Sequence, residues 1–312
     1  MTCLARGSSG KVPGGAVLVQ ADRTQPDAYD QVVGEHWDVV IDVSRQPGQV
    51  KSAVAALAAG TRSFVFVSSG NVYADHRAPG QAEDGALLPA LDGDVMTDMA
   101  TYGQAKVACE QHVVRGVGPD RALIARVGLI GGPGDVFDRT GYWPLRFARP
   151  ATDDGAVLVP DAPDLTTQVI DARDLAAWLV DAGNRGIAGI FNATGDTVRL
   201  PDHLDVARTV AGHTGPVIRA DQQWLLAQGV EPWMGERSLP LWLPDPDWRG
   251  FNARDSSKAR GAGLRRRPLS ETLADTLAWE LTRDPGVPRR AGLSDHDERA
   301  LLQTLADADP AP

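Results

Sequence analysis

Short runs of continuous apolar residues recur along the first two thirds of the chain, separated by helical periodicity or by turns. The runs at 2–4, 16–20 (AVLVQ), 37–43 (WDVVIDV), 63–68 (SFVFVS) and 122–130 (ALIARVGLI) predict buried strands. Residues 27–33 and 101–115 read as helices, and the Ala-rich segment 49–59 reads as a helix stopped by Gly60. A polar stretch rich in Gly and Asp, from 75 to about 98, lies between the 63–68 strand and the 101–115 helix. Strands that are apolar throughout, alternating with helices, predict a parallel sheet covered on both faces. The expected fold is therefore α/β, a Rossmann-like doubly wound sheet.

The second half is less regular. Residues 156–159 and 167–170 predict short strands, 174–182 a helix that Asp171 or Asp174 would cap, and 189–193 (GIFNA) the last strand of the main sheet. Helical pieces follow from 199, then a Trp/Pro-rich segment at 224–248, a helix at 272–282 and a charged tail with a helix from about Ser294. The expected division is a nucleotide-binding domain over 1–198, with 135–188 partly on the substrate side, and a smaller mixed α/β substrate domain over 199–312.

Composition narrows the function classes. The net charge is −10 over 312 residues with no basic run, which argues against nucleic acid and anionic membranes as partners. No apolar run approaches the roughly 20 residues that span a bilayer. The opening MTCLARGSSG lacks the apolar core of a secretory signal. Two cysteines, Cys3 and Cys109, make neither a disulfide framework nor a metal cluster, so no metal and a cytoplasmic location are expected. Only four lysines occur (Lys11, Lys51, Lys106 and Lys258), so a motif that needs lysine is harder to meet by chance.

Tyr102 and Lys106 stand four residues apart on an expected helix, which places them on one face. A free phenol, with a pKa of about 10, is a poor base at neutral pH. A nearby ammonium favours the phenolate and makes the group a usable proton donor and acceptor. A solvent-facing helix pair is the plain alternative. Upstream, Ser68-Ser69-Gly70-Asn71 follows directly on an expected buried strand, where open α/β sheets bind ligands. A hydroxyl there can hydrogen-bond a substrate oxygen, and alone it would read as a turn. Strand, serine, a loop of about 30 residues and Tyr-x-x-x-Lys together make the catalytic reading the stronger one.

The order Ser-Ser-x-x-Val-Tyr, Tyr-x-x-x-Lys, Arg-x-x-x-x-Gly-Gly-Pro-Gly resembles the extended short-chain dehydrogenases/reductases, the NAD-dependent epimerase/dehydratase superfamily. The resemblance spans roughly 2–193 and fades beyond. It implies Ser69, Tyr102 and Lys106 as the catalytic set, Lys106 also holding the nicotinamide ribose. It implies a cofactor path along Ser44, Val67 and Leu129, with Asp22 a candidate for the adenine ring or a plain turn residue. Arg6 at the end of the first strand, where NAD enzymes usually carry an acid, favours NADP, with NAD the second choice. Asn71, Arg139, Tyr142 and Arg173 are the substrate-side candidates; Arg173 is equally readable as an ion-pair partner. Trp143, and the group Trp224, Trp233, Trp242 and Trp248, either shape a pocket or fill a core.

One family element has no counterpart. The glycine-rich turn that seats a pyrophosphate on a helix N-terminus is missing, and Gly7-Ser8-Ser9-Gly10 is a poor substitute because no helix is expected after it. By the family's register the first strand, loop and helix would lie upstream of Met1, which suggests a misassigned start, a gap in the sheet and weak nucleotide binding. The expected activity is NAD(P)-dependent oxidation, reduction or epimerisation at a carbonyl or secondary alcohol of a small molecule. The alternative is an idle nucleotide-binding or regulatory member of the same superfamily. A homodimer is compatible with either.

Overall fold

The computed structural model describes the chain apart from Ser9, Pro285 and 309–312. Two compact units divide it. The first holds Met1–Ala74, Gly85–Arg126 and Leu179–Phe191, and the second holds Asp75–Asp84, Val127–Trp178 and Asn192–Pro312. The units interleave along the chain, and most of the segment 135–188 falls in the second.

The first unit begins with β1 (Thr2–Ala5) and β2 (Val17–Gln20), paired in parallel. Next come β3 (Trp37–Asp42), helix α1 (Pro47–Leu57) and β4 (Thr61–Ser69). Pro47 opens α1, where its missing N–H costs nothing. Helix α2 (Tyr102–Val117) and β5 (Ala122–Val127) complete the pattern. A four-stranded sheet runs Gly189–Ala193, β5, β4, β3, with β3 and β4 in parallel register from Trp37 opposite Thr61. The apolar runs are buried as their composition requires: Phe64, Phe66, Leu123 and Ile124 are almost fully enclosed. Phe64, Phe66 and Ile124 share a core with Val50 and Val54 of α1 and Cys109 and Val113 of α2. The fold is α/β with a Rossmann-like parallel sheet, as the alternation of runs predicts.

Two sequence expectations shift. Residues 27–33 form no helix. Their hydrogen bonds are successive tight turns, from Asp30 N to Asp27 O and from Val32 N to Tyr29 O. The segment lies between Pro26 and Gly34 and is held by burying Ala28, Tyr29 and Val32. The run 122–130 breaks at Gly128 into β5 and a separate strand, Leu129–Gly131. Separately, β1 and β2 form their own two-stranded sheet and do not pair with β3.

The second unit is built on a distinct core that includes Trp143, Trp242, Val157, Leu158, Leu204 and Leu273. Strands Leu129–Gly131 and Val169–Asp171 pair in parallel there, as do Val157–Pro160 and Val217–Ala220. Trp143 and Trp242 are fully buried, so these two tryptophans fill the core rather than line a surface pocket.

Candidate active site

Strand β4 delivers Ser69 at its carboxyl end. The Ser69 hydroxyl donates to Asn71 Oδ1 at 3.0 Å and accepts from the Asn71 main-chain N–H at 3.2 Å, which fixes the turn after the strand. Helix α2 starts at Tyr102, half-buried, and carries Lys106 one turn later. Gly103, between them, presses on that same turn. A Cβ at this position would lie 2.2 Å from the Asn71 carbonyl oxygen, so only glycine lets the start of α2 approach the Ser69 turn this closely. The spacing of the two motifs in sequence thus becomes contact in space.

Lys106 is only 3% exposed. Its ammonium donates to the carbonyls of Ser44, just beyond β3, and Val67 on β4, at 2.8 and 2.7 Å, and lies 4.6 Å from the centre of the Phe66 ring. Burial pushes its pKa down to about 8, against the opposing pull of Cys109, Asp42 and Glu110. Ser44 and Val67, expected along the cofactor path, therefore act through their main chains as the cradle of Lys106. The Ser44 hydroxyl itself donates to Gln49 Oε1 at 2.7 Å.

Beneath this set lies a group that sequence reasoning missed. Glu110, one turn beyond Lys106, accepts two hydrogen bonds from Arg126 of β5, at 3.1 and 2.8 Å, and one from the Ser68 hydroxyl at 2.5 Å. The Arg126 guanidinium sits 4.9 Å from the centre of the Tyr73 ring. Both charges are almost fully buried. Helical spacing from Lys106 was the available signal for Glu110; nothing in the sequence marked Arg126 as its partner.

The remaining candidates are placed as follows. Arg6 is exposed at the end of β1, and its positive charge contributes to the lowered pKa of Asp22, which owes more to hydrogen bonds from Thr24. Asp22 accepts from the Thr24 N–H and hydroxyl at 2.9 and 2.8 Å, a turn-forming role. In the second unit, Leu129 is buried in the core. Tyr142 is likewise core, 3% exposed, packed edge-on to Trp143, with burial driving its pKa well up; it has no surface to offer a substrate. Arg139 lies over Phe137 and Trp233, at 5.0 and 5.2 Å from the ring centres. Arg173 is committed to Asp171 and Asp275, each at 2.7 Å, which is the ion-pair role.

The fit to a nicotinamide dinucleotide differs between its two ends. An ammonium has three donors, and the two carbonyls take two of them, which leaves one N–H for a ribose hydroxyl. At the other end, residues 6–16 connect β1 to β2 with turns and, among the described residues, no helix; Ser9 of the Gly7–Gly10 run lies outside them. No helix N-terminus is present there to receive a pyrophosphate. Among the described residues no group of three or more His, Cys, Asp or Glu is placed to hold a metal ion, and no helix is long and apolar enough to cross a membrane.

No protein-family model matches the chain, and comparison with curated proteins found no match. Solved structures do match. UDP-N-acetylglucosamine 4-epimerase from Bacillus cereus aligns at 16% identity with a TM-score of 0.59, over 89% of this chain and 88% of that one. The Bordetella bronchiseptica enzyme WbmH, solved in complex with NAD+, aligns at 17% identity with a TM-score of 0.58, over 89% and 86%. RMD from Pseudomonas aeruginosa, solved with NADPH, aligns at 18% identity with a TM-score of 0.54, over 87% and 92%. At these identities the likeness establishes architecture alone: the chain shares the fold of these solved structures.

Proposed function

We propose that the chain is an NAD(P)-dependent oxidoreductase or epimerase acting on a carbonyl or secondary alcohol of a small molecule. The observation that carries this is the buried Lys106 ammonium, held by the Ser44 and Val67 carbonyls on the same face of α2 as Tyr102 and beside the Ser69 turn. A structural lysine is seldom buried without a carboxylate partner. Here the ion-pair partner of the neighbourhood, Glu110, is already taken by Arg126, so the ammonium remains available to a phenolate and a ribose.

In this reading Tyr102 gives or takes the proton at the substrate oxygen. Ser69 holds that oxygen by a hydrogen bond, and Lys106 stabilises the phenolate as the proton leaves. A nicotinamide cofactor, when bound, supplies the hydride chemistry. Exposed Arg6 at the end of β1 favours NADP over NAD. Among the described residues no helix end lies between β1 and β2 to bind a phosphate, which favours weak nucleotide binding there. That same feature supports the second reading, an idle nucleotide-binding or regulatory protein, while the intact Ser69, Tyr102 and Lys106 set favours the enzyme.

The experiment is oxidation of NADPH by the protein against a panel of carbonyl compounds, alongside Tyr102→Phe. Turnover that depends on the Tyr102 hydroxyl supports the enzyme; NADPH binding without turnover of any compound supports the idle reading.

A further inference from the structure

Lys106 rests on two carbonyls of unequal support. Val67 lies inside β4, an inner strand of the four-stranded sheet, so the strand itself sets where its carbonyl stands. Ser44 lies two residues past the end of β3, outside any strand or helix. No ladder sets its carbonyl, so another group must.

Asp42 is that group. Its carboxylate accepts the Ser44 main-chain N–H at 2.8 Å, which closes a side-chain turn over the residue where β3 ends. The Ser44 hydroxyl adds a brace by accepting from the Gln46 N–H at 3.1 Å. Asp42 is almost fully buried, and a buried carboxylate needs partners to stay charged. Arg23 donates to both of its oxygens, at 2.9 and 2.7 Å. The guanidinium is fixed in turn by the Tyr29 hydroxyl at 2.8 Å and the Gln49 carbonyl at 2.9 Å. Hydrogen bonds therefore run from Arg23 through Asp42 and Ser44 to the Lys106 ammonium. Asp42 also acts by its charge. Burial is the largest influence on Lys106 and lowers its pKa; Cys109, Asp42 and Glu110 oppose it, and Arg45 adds to it.

We propose that Asp42, anchored by Arg23, is the positioning residue of Lys106: it fixes the Ser44 carbonyl and so the direction in which the ammonium presents its third N–H. The consequence for turnover rests on the role given to Lys106 above, while the positioning is a property of the free protein. A mere brace of the fold would need Asp42 for its ion pair. A positioning residue needs its acceptor oxygen.

The test is competitive acetylation of the cofactor-free full chain, read residue by residue by mass spectrometry, in Asp42→Ala and Asp42→Asn proteins. Both variants lose the charge and the ion pair with Arg23, but only Asp42→Asn keeps an oxygen that can accept the Ser44 N–H. Cys109, fully buried one turn along α2 from Lys106, reports folding by its resistance to alkylation. The expected result is Lys106 acetylated at least ~10-fold faster in Asp42→Ala than in Asp42→Asn, with Cys109 shielded in both. Equal Lys106 rates in the two variants, or Cys109 exposed in either, would make Asp42 a brace of the fold and overturn the proposal. No turnover is measured, so the result is independent of whether the chain proves to be an enzyme.

Discussion

Glu110 on α2 and Arg126 on β5 form a buried two-point ion pair, joined by the Ser68 hydroxyl on β4, so one carboxylate ties together the elements that carry Ser69, Tyr102 and Lys106. Removing one partner of a buried pair leaves a desolvated charge, at a cost of about 3–5 kcal/mol. Glu110→Ala should therefore destabilise the chain by that order in urea unfolding. The double variant Glu110→Leu/Arg126→Met should recover most of the loss. Equal stability of Glu110→Ala and the wild type would show that the pair is solvated in solution.

Lys106 gives a pH signature. Burial lowers its folded pKa to about 8, below its ordinary 10.5. Between those values the unfolded chain holds a proton that the folded chain has released, so stability rises with pH across that window. Wild-type protein should gain stability from pH 8 to 10 relative to Lys106→Met, in urea midpoints measured side by side. Parallel profiles would mean that the ammonium is hydrated rather than buried.

The α2 approach to the Ser69 turn rests on Gly103. Gly103→Ala forces a methyl into the Asn71 carbonyl and should push the two apart. We expect a loss of about 1–3 kcal/mol, the usual range for overpacking, together with loss of any Tyr102-dependent turnover. Retained turnover in a stable Gly103→Ala protein would show that the serine turn and α2 need not touch.

Much of this site was legible in the chain because its signals are local. Tyr102 and Lys106 share a helix face by spacing alone, and Ser69 follows an apolar run that could only be a buried strand. The contents of the network below them were not legible. Arg126 sits inside the run ALIARV, where an arginine looks like an intrusion until Glu110 is brought to it by the fold. Tyr142 misled for the converse reason: an aromatic beside arginines resembles a pocket wall, and only tertiary packing shows it enclosed. Turns at 27–33 carry helix-like apolar spacing because they too bury one face, through Ala28, Tyr29 and Val32.

Acid should act through the second unit. Burial lowers the pKa of both His203 and His76 to about 4. Below the ordinary value of about 6.5 the unfolded chain gains protons that the folded chain refuses, so stability should fall as pH drops from 6.5 towards 4. His203→Gln should flatten that slope in part, with His76 supplying the rest, as read by thermal melts at stepped pH. An unaltered slope in the double variant would place the acid sensitivity elsewhere.

Under the proposed function Tyr102 is the proton-transfer group of a nicotinamide-dependent enzyme. The most direct test is kcat/KM for NADPH-dependent turnover of the best carbonyl substrate by wild-type and Tyr102→Phe proteins of matched melting temperature. The expected result is a loss of about 10²- to 10⁴-fold on removal of the one hydroxyl. Turnover by Tyr102→Phe equal to that of the wild type would contradict the assignment.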